Sequence, residues 1–444
     1  MNVLRGVVLV LGIMILVHEW GHFVMARLFG VRVDVFSIGF GPRLFGWKRG
    51  ATDYRVSALP FGGYVRMAGQ DLSEVDAGEK APTGAPEELM SKPRWQRALI
   101  SFGGPLVNLV LPVILLGSFF IAVGVPYPAF YNRPVQVTAL PSAATPAEAG
   151  PLQVGDRVLA LNGTQLPTWE KALDLVAQAA PGTILQIEVE NGAARRTVSV
   201  PVKDPEQLQR LFGYPPIIPV VEEVLAGSPA YRAGLRPGDK VLTVNDRPIE
   251  TWAQFVESVR HSNGQKLLLR LARNGQVLPV EVTPRQGSSE RGETVWLVGI
   301  QPREETAYRQ VGVIGGTKYA VLTTVGGIDQ LLGVVGKLFS GRVSVKQLQG
   351  VVGIARESGQ AVRKGPSSVL QLMAFISLNL GVLNLLPIPI LDGGHILLLA
   401  LEGLRRRDFS LAFKERFVQV GFVFLLLLFA IVMYNDVMRI LPVR

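Results

Sequence analysis

The stretch that decides the reading is Gly6 to Phe29, GVVLVLGIMILVHEWGHFVMARLF. It is apolar throughout except for His18, Glu19, His22 and Arg27. A helix of about 20 residues crosses the ~30 Å hydrocarbon layer of a bilayer, and this run is longer than that. On such a helix His18 and His22 stand at i and i+4, so they project from one face a turn apart. Two imidazoles at that spacing can bind one zinc ion, with Glu19 beside them as general base toward water. A charged group near the bilayer midplane costs about 2.5 kcal/mol or more, so ionisable residues there are functional by default. The apolar Phe23-Val24-Met25-Ala26 continues beyond the cluster, and no small-residue cleavage site follows, which argues against a removable signal peptide.

Working outward, the 444-residue chain is 48% hydrophobic and 18% charged. Its mean hydropathy is +0.30. That balance fits a membrane protein with a soluble portion. There is no cysteine, which excludes disulfides, thiol catalysis and thiolate metal sites. Three more runs are long enough to span: Ala98 to Val125, Ser367 to Leu391 and Phe417 to Tyr434. Arg27, Arg32, Arg43, Lys48, Arg49, Lys92, Arg94 and Arg97 flank the first two runs, and Arg405, Arg406, Arg407, Lys414 and Arg416 separate the last two. The bias of basic residues puts both loops in the cytoplasm, and both termini and the long central segment outside. The net charge of +10 is thus juxtamembrane and faces anionic lipid; no basic stripe points to nucleic acid.

Residues 31–70 read as a membrane-associated β region. Tyr54, Val56 and Ala58 alternate with polar partners, Pro60-Phe61-Gly62-Gly63 breaks the run, and Tyr64-Val65-Arg66-Met67 resumes it, giving strand, turn, strand. A connector rich in Glu, Pro, Gly and Ala follows, within 71–96. Residues 130–215 and 216–305 form an internal repeat at an offset of 83 residues, from Gly155 to Gly238 and from Trp169 to Trp252. Each unit ends a short helix at Ala-Gly, turns at Gly-Asp, enters an apolar strand, turns at Asn162-Gly163 or Asn245-Asp246, and starts a helix at Trp. This pattern resembles a PDZ domain of the bacterial type. Leu211-Phe212-Gly213-Tyr214 and Leu297-Val298-Gly299-Ile300 occupy the place of the peptide-binding loop, where backbone capture would hold a peptide terminus. Within residues 306–366, Val321 to Phe339 is expected to lie on the membrane surface as an amphipathic helix, since its glycines argue against a fifth span.

A catalytic zinc site needs a third protein ligand and keeps a fourth position open. His261 lies in the second repeat, outside the membrane, which leaves Asp392 and His395 as candidates. They follow Asn384-Leu385-Leu386-Pro387-Ile388-Pro389-Ile390-Leu391, where two prolines break the third span at membrane depth. Residues 392–416 are then read as a cytoplasmic loop.

The motif His18 to His22, together with Asn384 through Gly393, resembles the site-2 protease family of intramembrane zinc metalloproteases. The tandem PDZ-like units and four spans resemble its regulator-of-sigma-E protease branch, and the resemblance covers essentially the whole chain. It implies a polytopic α-helical membrane protein, four transmembrane helices with a membrane-associated β-hairpin and two extracytoplasmic α/β PDZ-like domains, set in a bacterial inner membrane. It also implies one zinc ion per chain held by His18, His22 and Asp392, with Glu19 catalytic. Asn384, Pro387 and Pro389 match positions linked to substrate handling, and Gly104-Pro105 with Asn108 matches a pattern near the active site. Gly62, Gly63 and Tyr64 fall in the hairpin that holds substrate as an added strand. His395 is read as hydrogen-bonding near the site. Expected substrates are single-span membrane proteins of the anti-sigma-factor type and remnant signal peptides. The chain departs from the family at Trp20, where Phe is common, and at Gly350-Val351, where Gly-Pro is usual. Two other readings stand beside this one: a catalytically silent membrane-anchored PDZ scaffold, and a membrane transporter or channel using His and Asp for ion handling.

Overall fold

The computed structural model describes residues 2–70, 83–137, 152–166, 168–178, 180, 182–201, 217–225, 227–288, 294–303, 305–341 and 350–440. The chain divides into two units, Met1–Val125 with Gln310–Met438, and Pro126–Arg309 with Arg439–Arg444.

The first unit is helical with one β region. Among the described residues its helices are α1 (Asn2–Leu28) and α2 (Arg94–Ala122), and, after the intervening segment, five more. Between α1 and α2 the chain forms β1 (Val33–Arg49) and β2 (Thr52–Met67). Both strands bend. Residues 33–38 of β1 pair on one side with 53–56 of β2 and on the other with 63–67, while 43–49 pair with 52–57. The expected turn at 60–63 is therefore where β2 swings across from one side of β1 to the other. Gly62, at φ +116, supports that swing, since left-handed backbone favours glycine. Residues 63–67 are left at an edge of this sheet.

The second unit contains β3 (Val125–Pro128), which bridges the units in sequence and pairs with β16 (Thr306–Arg309). Within it, the repeat is plain in the topology. β4 (Arg157–Leu161), β5 (Thr164–Gln165), β6 (Ile184–Asn191) and β7 (Ala194–Pro201) order as β5-β4-β6-β7. β9 (Lys240–Val244), β10 (Arg247–Pro248), β11 (Leu267–Arg273) and β12 (Gln276–Val282) order as β10-β9-β11-β12, with β8 (Val221–Val224) preceding them. Both sheets are wholly antiparallel and alternate buried with exposed residues. Helices α3 (Trp169–Ala177) and α5 (Trp252–Arg260) cover them, and α4 (Pro229–Arg232) is a single turn capped by Ser228. Short pairs β13 (Arg285–Ser288) with β14 (Thr294–Leu297), and β15 (Ile300–Pro302) with β8, complete the second copy.

Each copy buries the aspartate of its Gly-Asp turn completely. Asp156 accepts the Gln153 N–H at 2.7 Å, and Asp239 accepts the Arg236 N–H at 2.8 Å. Each also has an arginine partner, but not the equivalent one. Arg196 comes from β7, whereas Arg273 comes from β11 and forms two bonds of 2.7 Å. A buried carboxylate needs a counter-charge, and the two copies supply it from different strands. The loop Leu211 to Tyr214 lies outside the described residues. Leu297 to Ile300 is described; Gly299 takes φ +80 and its carbonyl accepts the Leu225 N–H at 3.0 Å.

Back in the first unit, α6 (Val313–Phe339) differs from expectation. It begins earlier than Val321, runs 27 residues, and over 313–338 is long and apolar enough to cross a membrane. It packs along α2 in the opposite direction, Gly316 against Ile121 and Ala320 against Gly117. Its glycines do not break the helix; Gly316 and Gly327 let it approach Ile121 and Leu378, as small residues do between membrane helices. Among the described residues, the helices long and apolar enough to span are α2, α6, α8 (Pro366–Asn384) and residues 412–438 of α10 (Leu411–Ile440). The four-span expectation did not include α6.

Two local differences complete the unit. Gly350, before α7 (Val351–Lys364), sits where a Cβ would lie 2.7 Å from Val432 and 2.8 Å from the Asp436 carboxylate. Asp436 in turn accepts the Gly350 and Gly353 N–H groups at 3.1 and 3.2 Å, capping α7 from another helix. Residues 392–405, expected as loop, form helix α9 (Asp392–Arg405). Gly393 and Gly394 lie under the carbonyls of Leu385, Leu386 and Ile388, so the helix starts in direct contact with the proline-broken segment.

Candidate metal centre

Three elements bring the donors together. α1 presents His18 and His22 on one face. α8 stops at Asn384, and the chain crosses seven residues before α9 opens with Asp392 in its first turn. Within that crossing Leu391 N–H bonds to the Ile388 carbonyl at 3.1 Å, with Pro389 second and Ile390 third in the turn. Ile390 has φ +81, the value a type II turn requires at that place and one that usually selects glycine. A β-branched side chain there is strained. Pro387 and Pro389 do not line the cavity with the donors; Pro389 instead packs against Gly421 of α10. Pro389 helps to hold the turn, and Pro387 stands just before it.

His18 Nε2 and His22 Nε2 are 3.2 Å apart, His18 Nε2 and Asp392 Oδ2 3.2 Å, and His22 Nε2 and Asp392 Oδ1 3.4 Å. Tetrahedral ligands about 2.0–2.1 Å from one zinc ion lie roughly 3.3 Å from each other, so the donor set fits that ion. His22 Nδ1–H donates to the Ile100 carbonyl at 2.9 Å, which turns its Nε2 lone pair toward the group. Asn108, fully buried on α2, stands 3.2 Å from His18 Nδ1 through its amide nitrogen, and its Oδ1 has no partner among the described residues. Turning the amide over lets His18 Nδ1–H donate to Oδ1 and resolves the orphan. That state leaves His18 Nε2 free for a metal. Ser377 Oγ on α8 donates to the Asn108 carbonyl at 2.8 Å, tying the second layer together.

The approach of α1 to α2 depends on glycine. A Cβ on Gly21 would lie 2.3 Å from the Gly103 carbonyl oxygen. One on Gly104 would lie 2.4 Å from His22 Nε2 and 2.8 Å from His18 Nε2. Other expected residues surround the donors. Asn384 Nδ2 is 3.3 Å from His18 Nε2. Glu19, Tyr64 and His395 line the same cavity of about 470 Å³. Gly63 backs onto Glu19, whose Cγ a Cβ would meet at 3.4 Å. Gly62 faces the Phe40 ring rather than the donors. Arg97, Ile390 and Glu402 also line the cavity and were not singled out as site residues. Arg97 was visible only as one basic flank among several, and Ile390 only as an apolar residue between motif positions.

The family profile of peptidase family M50 matches residues 6–428. The chain belongs to peptidase family M50. The regulator of sigma-E protease RseP of Escherichia coli (strain K12) is 32% identical over 459 residues, covering 98% of this chain and 98% of that one. The regulator of sigma E protease of Haemophilus influenzae is 29% identical over 462 residues, covering 98% and 99%. A Neisseria meningitidis protein described as a zinc metalloprotease is 32% identical over 458 residues, covering 99% of this chain and all of the relative. The peptidase is thus similar to its relatives from end to end, and both intramembrane proteolysis and zinc are consistent with their names.

Proposed function

We propose that this peptidase hydrolyses peptide bonds within or beside the membrane-spanning segments of single-span proteins, in the inner membrane of a bacterium. The observation that carries the reading is the convergence of His18, His22 and Asp392 at 3.2–3.4 Å beside Glu19, inside a bundle of apolar helices. The anti-sigma-factor class of substrate and remnant signal peptides rest on the similarity to sigma-E regulators. The basic flanks favour the donors lying toward the cytoplasm and the repeat units lying outside.

His18, His22 and Asp392 would hold one zinc ion, which supplies Lewis acidity toward a peptide carbonyl and toward water when bound. Glu19 takes the proton of the attacking water and returns it to the leaving nitrogen. Asn108 and the Ile100 carbonyl fix the two imidazoles, so the donors are set before substrate arrives. Asn384, beside His18, orients substrate. A helical substrate hides its carbonyls in hydrogen bonds and must be opened. The edge at residues 63–67, against Glu19, suits an added strand for that purpose. The repeat units act as PDZ-like domains that screen substrates by size or capture peptide termini.

Cleavage of a tagged one-span protein in liposomes tests the reading. Wild type should cut it and Glu19→Gln should not, while both keep about one zinc per chain. Cleavage by Glu19→Gln at the wild-type rate would refute the assignment.

A further inference from the structure

The cavity does not end at the metal donors. Asp392, His395, Leu399 and Glu402 recur at intervals of three or four along α9, so they form one stripe. The stripe is about 15 Å long at 1.5 Å per residue. α2 faces it. Gly104 touches the imidazoles, Ile100 holds His22 one turn on, and Arg97 follows about 10 Å from Gly104 along the axis.

Arg97 is 8% exposed, and no carboxylate among the described residues hydrogen-bonds to it, though its charge acts on Asp408 from farther off. Its one hydrogen bond among the described residues is to Met90 Sδ at 3.5 Å, a weak acceptor. Its Nε is buried with no partner there. Neighbouring charges make their hydrogen bonds elsewhere, though Glu402 Oε2 has no hydrogen-bond partner among the described residues. Arg94 donates to Asp408 at 2.6 Å. Lys414 lies 3.3 Å from Glu402, whose Oε1 also accepts the Phe409 N–H at 3.0 Å. A buried guanidinium without a hydrogen-bonded anion is costly, and its open donors suit an anion that enters the cavity.

We infer that Arg97 is an anion subsite of the catalytic cavity, and that it takes a peptide carboxylate. The distance from Gly104 corresponds to about three residues of extended chain, so the carboxylate belongs about three residues from the scissile bond. Two sources share that chemistry: an Asp or Glu side chain of the substrate, and the new C-terminus of a released fragment as it slides away. The inference rests on the cavity being that of the proposed protease.

The test uses the full zinc-loaded chain in liposomes. In the first arm, one-span substrates carry Asp or Asn at positions two, three and four on each side of the scissile bond. In the second, acetylated peptides ending in a free carboxylate or an amide compete with the Asn substrate. Wild type should favour the carboxylate by about tenfold or more in kcat/KM or in inhibition constant, as a charge-assisted hydrogen bond implies. Arg97→Gln should bring that ratio to about one, and Arg97→Lys should keep part of it. An effect confined to the first arm names the side chain, and one confined to the second names the terminus. Ratios unchanged in Arg97→Gln, or a loss equal for acidic and neutral ligands, would overturn the assignment. Failure of wild type to cut the Asn substrate would instead count against the proposed function.

Discussion

Gly104→Ala is the smallest change that reaches the metal donors. The added methyl carbon would stand 2.4 Å from His22 Nε2 and 2.8 Å from His18 Nε2. Ordinary contact needs about 3.5 Å, so the His22 ring must retreat by about 1 Å and the His18 ring by about 0.7 Å. Neither helix can yield easily, because Gly21 already rests on the Gly103 backbone next door. Metal–ligand distances tolerate only about 0.2 Å, so the shift removes a ligand. Disturbing an outer partner alone costs 10–100-fold in affinity. Gly104→Ala should therefore weaken zinc binding by about 100-fold or more, near 3 kcal/mol. Competition against a fluorescent chelator measures this directly, without reference to proteolysis. Gly333→Ala is the control: nothing lies within 4 Å of its Cβ, and a mid-helix alanine should stabilise by about 0.5–1 kcal/mol. Wild-type zinc affinity in Gly104→Ala would refute the packing argument.

Ile390→Gly should raise the thermal stability by about 1 kcal/mol by relieving φ +81, whereas Ile390→Ala should not; unfolding in detergent separates the two. Asp239→Ala leaves Arg273 facing a buried gap and should cost the second repeat about 3 kcal/mol, read from Trp252 fluorescence during denaturation. Arg94 holds the Asp408 carboxyl below its usual range by hydrogen bond and charge. The stability this contributes is full above the ordinary aspartate pKa and is lost as pH falls through the lowered one. Arg94→Gln should move the Asp408 titration upward, followed by carbon NMR on labelled aspartate. Asp436→Ala removes the cap on α7 and should cost about 1–2 kcal/mol, seen as faster amide exchange at Gly350 and Gly353.

The donor set was legible because its signals are local. An i, i+4 histidine pair fixes its own geometry, and prolines within an apolar run announce a break next to Asp392. The repeat was legible for a similar reason, since turn residues recurred at a constant offset. What escaped needed contacts between distant segments. Alternation in residues 33–67 shows strands but not that they bend and pair on both sides of residues 33–38. The glycines of α6 read as weaknesses in isolation, yet the helix runs through them, and Gly316 and Gly327 are contact points with Ile121 and Leu378. Helix α9 was taken for loop because its start is fixed by packing of Gly393 and Gly394 under carbonyls of the preceding segment. Ile390 offered no sign at all, because isoleucine is the wrong residue for its own backbone. Arg97 was counted with the basic flanks, and only the cavity separates it from them.

The bent hairpin carries a consequence for the products. Its edge at residues 63–67 runs beside Glu19. A chain added to that edge would turn successive carbonyls alternately toward and away from the sheet. Every second peptide bond then faces the wrong way for attack. Slippage of such a substrate would move the cut by two residues at a time, so fragment masses would form a ladder with dipeptide rungs.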